Sequence, residues 1–127
     1  YEFNSFSLND AKKRVAKYNL TKAISFQKRD IFMNNFFLEV IDDSDLIHID
    51  LSNDGATYKQ FIQSSDLNNR FLIFEGGSIE RDNVEWMKKY NKKPINPYLK
   101  TISDYFEIHM ILAFPSITIV TQKSGFK

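Results

Sequence analysis

The residues of this sequence that can do chemistry fall where apolar runs stop. Asp50 closes the run of residues 46–51 and is followed by Asn53, Asp54 and Gly55, while Glu75 closes residues 71–74 and is followed by Gly76 and Gly77. If the two runs are neighbouring strands about 4.8 Å apart, their carboxylates converge on one small volume. Such a pair can hold a hard divalent cation, which prefers oxygen ligands, or one acid can act as a general base on a hydroxyl. The same residues also suit plain turn chemistry, each acid capping its own loop or the next helix. Gly76 and Gly77 permit positive φ and close approach of backbone to a ligand, and they equally suit an ordinary two-glycine turn.

Other polar residues are open to the same pair of readings. Asp30, just past an earlier apolar run, can accept hydrogen bonds from an exocyclic amine, and Glu2 can accept them from vicinal hydroxyls; both also suit exposed loops. His48 and His109 sit inside apolar runs and read as hydrogen-bonded core imidazoles rather than ligands. Trp86, with Val84 and Met87, reads as helix-to-sheet packing. The chain has no cysteine, which excludes disulfides and thiolate zinc sites. It also lacks a GxSxG elbow, a P-loop lysine motif and HExxH, which removes several hydrolase, kinase-like and metalloprotease chemistries.

The elements that must position these residues follow from periodicity. Ser7, three residues before Asp10, has capping-box spacing, and Leu8, Ala11, Val15 and Tyr18 then form one stripe of a helix over residues 8–19. Residues 23–27 alternate, with Ile24 and Phe26 on one face, and predict a strand. Residues 36–41 suit a helical turn leading through Asp42, Asp43, Ser44 and Asp45 into the next strand. Residues 46–51 read as a central parallel strand buried on both faces. Residues 57–64 carry Tyr58, Phe61 and Ile62 at helical spacing, and residues 71–74 form a second apolar strand. A helix is expected over 81–90, with Pro94 and Pro97 preventing its continuation. Residues 106–113 and 117–121 predict a closing antiparallel hairpin around Phe114-Pro115-Ser116.

Composition sets the frame. The 127 residues suit one α/β domain, with 43% hydrophobic and 26% charged residues arguing against disorder. Seventeen basic and sixteen acidic residues leave a net charge of +1, so neither nucleic acid nor an anionic membrane is an expected partner. With no apolar run of about 18 residues and no signal peptide, the cytoplasm is the expected compartment. Strands alternating with helices predict a layered sheet with helices on both faces, whose ligand cleft lies beyond the carboxyl ends of its strands.

Ile47-His48-Ile49-Asp50, Asn53-Asp54-Gly55 with Tyr58, and Leu72-Ile73-Phe74-Glu75-Gly76-Gly77 together resemble the second half of class I S-adenosylmethionine-dependent methyltransferases. The closing Phe114-Pro115-Ser116-Ile117-Thr118-Ile119 segment is similar to theirs, and the nearest branch is the group similar to macrocin O-methyltransferases. The resemblance implies a Rossmann-like three-layer sandwich, mostly parallel, with the hairpin antiparallel. It implies that Glu2 binds the cofactor ribose, that Asp30 reads the adenine amino group, and that Asp50 and Glu75 face the methyl acceptor as base or as magnesium ligands. Leu51 and Ser52 replace the glycine and acid that this branch carries after Asp50.

The family's glycine-rich loop after its first strand has no counterpart, because the chain opens on Tyr1 in what reads as the second strand. An upstream βα unit is therefore expected in the parent polypeptide or a second chain. The first expectation for function is methyl transfer from S-adenosylmethionine to a hydroxyl of a small or saccharide acceptor, with a homo-oligomer among the candidate assemblies. The alternatives are a non-catalytic binding or assembly module that keeps the fold, and a divalent-metal hydrolase using Asp50 and Glu75.

Overall fold

The computed structural model describes residues 5–28, 44–51 and 53–125. Its contacts divide the chain into two compact units, Tyr1–Phe36 and Phe37–Lys127. The strand expected around Glu2, the acid Asp30 and the turn expected over 36–41 lie outside the described residues.

The first unit is built on helix α1, Ser5–Lys17. It starts three residues before the predicted first residue, Leu8, so Ser7 lies inside the helix and does not cap it. It ends at Lys17, two residues short of the predicted Asn19. Asn19 adopts φ 58°, Leu20 N–H donates to Val15 O at 3.0 Å and Asn19 N–H to Ala16 O at 3.1 Å, which satisfies the last carbonyls from a left-handed residue. The strand predicted over 23–27 is not formed. Residues 21–23 make a turn, Ala23 and Ile24 N–H both donating to Leu20 O, and residues 24–28 are irregular. Ile24 and Phe26 supply too short an alternation to hold a strand that has no pairing partner among the described residues.

The second unit holds a four-stranded mixed sheet made of β1 (Leu46–Ile49), β2 (Phe71–Glu75), β3 (Phe106–Ile111) and β4 (Ile117–Gln122). Helices α2 (Gly55–Ser64), α3 (Ile79–Asp82), α4 (Glu85–Lys89) and α5 (Asn96–Ile102) connect them. The strand order is β1-β2-β4-β3. β1 and β2 are parallel, as α2 between them requires, and β4 runs antiparallel to both β2 and β3. The closing hairpin therefore forms as its sequence predicts, but the final strand lies inside the sheet and β3 lies at its edge.

β1 differs from expectation. It is an edge strand among the described residues, and Leu46 is 55% exposed while Ile49 is buried, so it is covered on one face and not on both. Leu72, Phe74, Thr118 and Val120 form the fully buried face of the sheet's centre, paired Leu72 with Val120 and Phe74 with Thr118. α2 contributes Tyr58, Phe61 and Ile62 to the core, its helical spacing turning all three to one side. The Tyr58 ring stacks on Phe74 with centroids 4.3 Å apart.

The helix predicted over 81–90 is two short helices. Ser78 caps α3 by accepting from Arg81 N–H, and Asn83 ends it: its backbone N–H donates to Ile79 and Glu80 carbonyls and its Nδ2 donates to Ile79 O. An asparagine that satisfies helix-end carbonyls in this way competes with continuation. Pro94 and Pro97 do not mark a plain loop, because Pro97 occupies the first turn of α5, where a missing N–H costs nothing. Asp82 satisfies the free N–H groups at the start of this helix, accepting from Ile95 N–H at 3.1 Å and Asn96 N–H at 2.7 Å. No helix among the described residues is long and apolar enough to cross a membrane.

Gly77 closes the β2 loop at φ +104°, and a Cβ there would overlap Thr118 Oγ1. Gly77→Ala combines this overlap with backbone strain, and we expect it to lower stability by about 2–4 kcal/mol, read from the urea midpoint. An unchanged midpoint would show that the loop can relax.

Candidate functional site

The parallel register pairs Ile49 with Phe74 as the last matched residues of β1 and β2. Asp50 and Glu75 therefore leave neighbouring strands at the same level and in the same direction, as the sequence predicts. Asn53 adopts φ 47° and leads directly into Asp54, the N-cap of α2. Asp54 is a structural acid. It accepts from Ala56 N–H at 3.0 Å and Lys93 N–H at 3.3 Å, and Lys92 Nζ lies 3.9 Å away.

One turn into α2, Tyr58 reaches back and donates its hydroxyl proton to Asn53 Oδ1 at 2.5 Å. Asn53 Nδ2 then donates to Glu75 Oε1 at 3.1 Å, and Arg81 donates to the same oxygen at 2.8 Å. The chain Tyr58–Asn53–Glu75–Arg81 thus joins the end of β1, helix α2, the end of β2 and helix α3. It also holds Asn53 in a left-handed conformation that a non-glycine residue rarely adopts without such support.

The Arg81 side chain is only 7% exposed and its guanidinium lies 4.7 Å from the Trp86 ring centroid. Its Nε is buried without a hydrogen-bond partner. Trp86 is half-buried, and besides filling space it forms a wall against this cation. Burial pushes the Tyr58 hydroxyl well above its ordinary pKa, and the negative charges of Glu75 and Asp50 push it further in the same direction. Both acids therefore act on one buried hydroxyl, which ties Asp50 to the cluster. Asp50 is exposed and makes no hydrogen bond or ion pair with another described residue. The two acids are thus unlike: Glu75 is fixed by two donors and Asp50 is open to solvent.

The remaining candidates sort as follows. Glu2 and Asp30, predicted to hold the cofactor, lie outside the described residues. His48 is exposed on β1 and is not the core imidazole that its apolar flanks predict, because it falls on the uncovered face of an edge strand. His109 is exposed as well, with Nε2 2.9 Å from Glu107 Oε1. Gly76 and Gly77 mainly serve the turn, their carbonyls accepting from Thr118 Oγ1 and Asn96 Nδ2. Among the described residues no three His, Cys, Asp or Glu side chains gather as metal donors. Sequence reasoning missed Asn53 and Arg81 as partners of Glu75, and it assigned the Tyr58 hydroxyl no partner. No spacing in the sequence points to the ion pair, because the contact depends on how the glycine turn between Glu75 and Arg81 folds. The chain matches no family model and no curated protein.

Tyr58→Phe removes the hydroxyl at the head of the chain and should cost about 1 kcal/mol at neutral pH by urea denaturation. Above about pH 10 the unfolded tyrosine ionises while the folded one keeps its proton, so wild-type stability falls as pH rises through that range. The variant should lose less there. Equal alkaline slopes for the two proteins would contradict the burial of this hydroxyl beside two acids.

Proposed function

We propose that the second unit is the acceptor-side half of a Rossmann-like α/β fold that transfers a methyl group from S-adenosylmethionine to a hydroxyl. The observation that carries this reading is the placement of Asp50 and Glu75 at the carboxyl ends of adjacent parallel strands. An α/β sheet presents its ligand cleft at those strand ends. The parallel β1–β2 pair with a closing antiparallel hairpin is also what the resemblance to class I methyltransferases implies.

The cofactor, when bound, supplies a methyl group on a sulfonium, open to in-line attack by an oxygen nucleophile. The residues predicted to bind it are outside the described ones, so the chain's visible part in the reaction concerns the acceptor. Asp50 has an exposed carboxylate, which would accept the proton of an acceptor hydroxyl. Glu75 is held by Arg81 and Asn53, and its remaining oxygen fixes the direction of a second acceptor hydroxyl. The small or saccharide acceptor expected from the sequence offers such paired hydroxyls. A magnesium ion fits this site poorly, since the Arg81 guanidinium already sits on Glu75 and would repel it. No step is routed through a metal.

Calorimetric titration with S-adenosylmethionine and its demethylated product, followed by transfer assays with hydroxyl acceptors, tests the reading. Saturable binding is expected, with Asp50→Asn lowering turnover by roughly 10²–10⁴-fold while cofactor affinity stays unchanged. If neither molecule binds, the reading fails and the non-catalytic binding module takes its place. A heat of magnesium binding that disappears in Asp50→Asn would instead favour the metal hydrolase.

A further inference from the structure

Among the described residues β3 is an edge of the sheet, and its sequence Phe-Glu-Ile-His-Met-Ile carries one charged residue, Glu107, but no lysine, proline, glycine or bulge. Tyr105 O accepts from Lys123 N–H at 3.1 Å, which identifies the odd-numbered residues as those whose backbone groups bond to β4. The N–H and C=O groups of Phe106, Ile108 and Met110 therefore point away from the sheet. On the open face of the same strand, Tyr105 (57% exposed), Glu107, His109 and Ile111 (54% exposed) follow one another.

We infer that this edge pairs with β3 of a second copy of the chain, antiparallel and centred on Ile108, joining two sheets into one continuous sheet about a two-fold axis. The register follows from two requirements. A two-fold axis perpendicular to the sheet keeps each face on its own side only if residues of equal parity meet, and outward-pointing residues must meet one another to exchange backbone hydrogen bonds. Centring on Ile108 sets Ile108 opposite its counterpart and Phe106 opposite Met110, giving roughly six backbone hydrogen bonds. It also sets Glu107 opposite His109 of the second copy, and Tyr105 opposite Ile111, on both sides of the axis. Glu107 and His109 can hydrogen-bond across the axis as they do within one strand at 2.9 Å, and the exposed apolar side chains at each end cover one another. Moving the centre by one residue either way brings Glu107 against Glu107 or His109 against His109 and loses a pair of backbone bonds, so the strand itself selects the register. The inference stands apart from the proposed reaction, since β3 contributes nothing to the Asp50–Glu75 cluster.

Sedimentation equilibrium of the full chain over a concentration series reads the outcome. A dimer is expected for the wild type. Ile108→Pro removes an outward N–H without touching a bond to β4 and should give a monomer with an unchanged circular dichroism spectrum. Glu107→Lys, an exposed change, should weaken dimerisation about tenfold, and combining it with His109→Glu should restore it by setting opposite charges across the axis. A wild type that stays monomeric at every concentration overturns the inference, as does a dimer indifferent to Glu107→Lys. If Ile108→Pro does not fold, the two charge variants alone decide.

Discussion

A guanidinium withdrawn from water has to find a carboxylate, and in this protein the pairing of Arg81 with Glu75 is the contact around which the site is arranged. Arg81 is held from below by Trp86, so the position of the cation is set by packing and the position of the acid is set by the cation. Glu75 in turn anchors Asn53, and Asn53 receives the Tyr58 hydroxyl. A strand end, a left-handed loop residue, a core aromatic and a short helix are thus fixed to one another through a single carboxylate oxygen. Losing either charge would leave the other without its partner in a region only partly open to water.

The sheet makes this arrangement possible because β1 and β2 run in the same direction. Parallel pairing requires a crossover, and α2 provides it, bringing Tyr58 over Phe74 and back toward the end of β1. The result is an asymmetric pair of acids. Glu75 is committed to internal partners while Asp50 faces solvent. Two carboxylates at equivalent strand ends thus differ through the side chains that surround them.

Much of this was legible in the sequence. The continuous apolar runs before Asp50 and Glu75, the helical spacing of Tyr58, Phe61 and Ile62 between them, and the turn around Pro115 led to a parallel pair and an antiparallel hairpin. What was not legible depended on tertiary partners. An apolar run of four residues looks the same at the centre of a sheet and at its edge, so β1 and His48 were placed too deep. Ile24 and Phe26 carry the alternation of a strand, but a strand also needs a neighbour. Asn83 broke one predicted helix into two because its side chain reaches back to the carbonyl of Ile79, and Pro97 began a helix whose N-terminus is satisfied by the distant Asp82. The Arg81–Glu75 pair was hidden for the same reason: six residues of separation do not reveal a contact that depends on the fold of the intervening glycine turn.

A double-mutant cycle on Glu75 and Arg81, using Glu75→Gln, Arg81→Met and the double variant in urea denaturation, measures the interaction on which the account rests. The account requires each single change to destabilise and the double change to recover a coupling of about 1–3 kcal/mol. Additive losses, with coupling within about 0.3 kcal/mol of zero, would contradict it and would mean that the site is not organised around this pair.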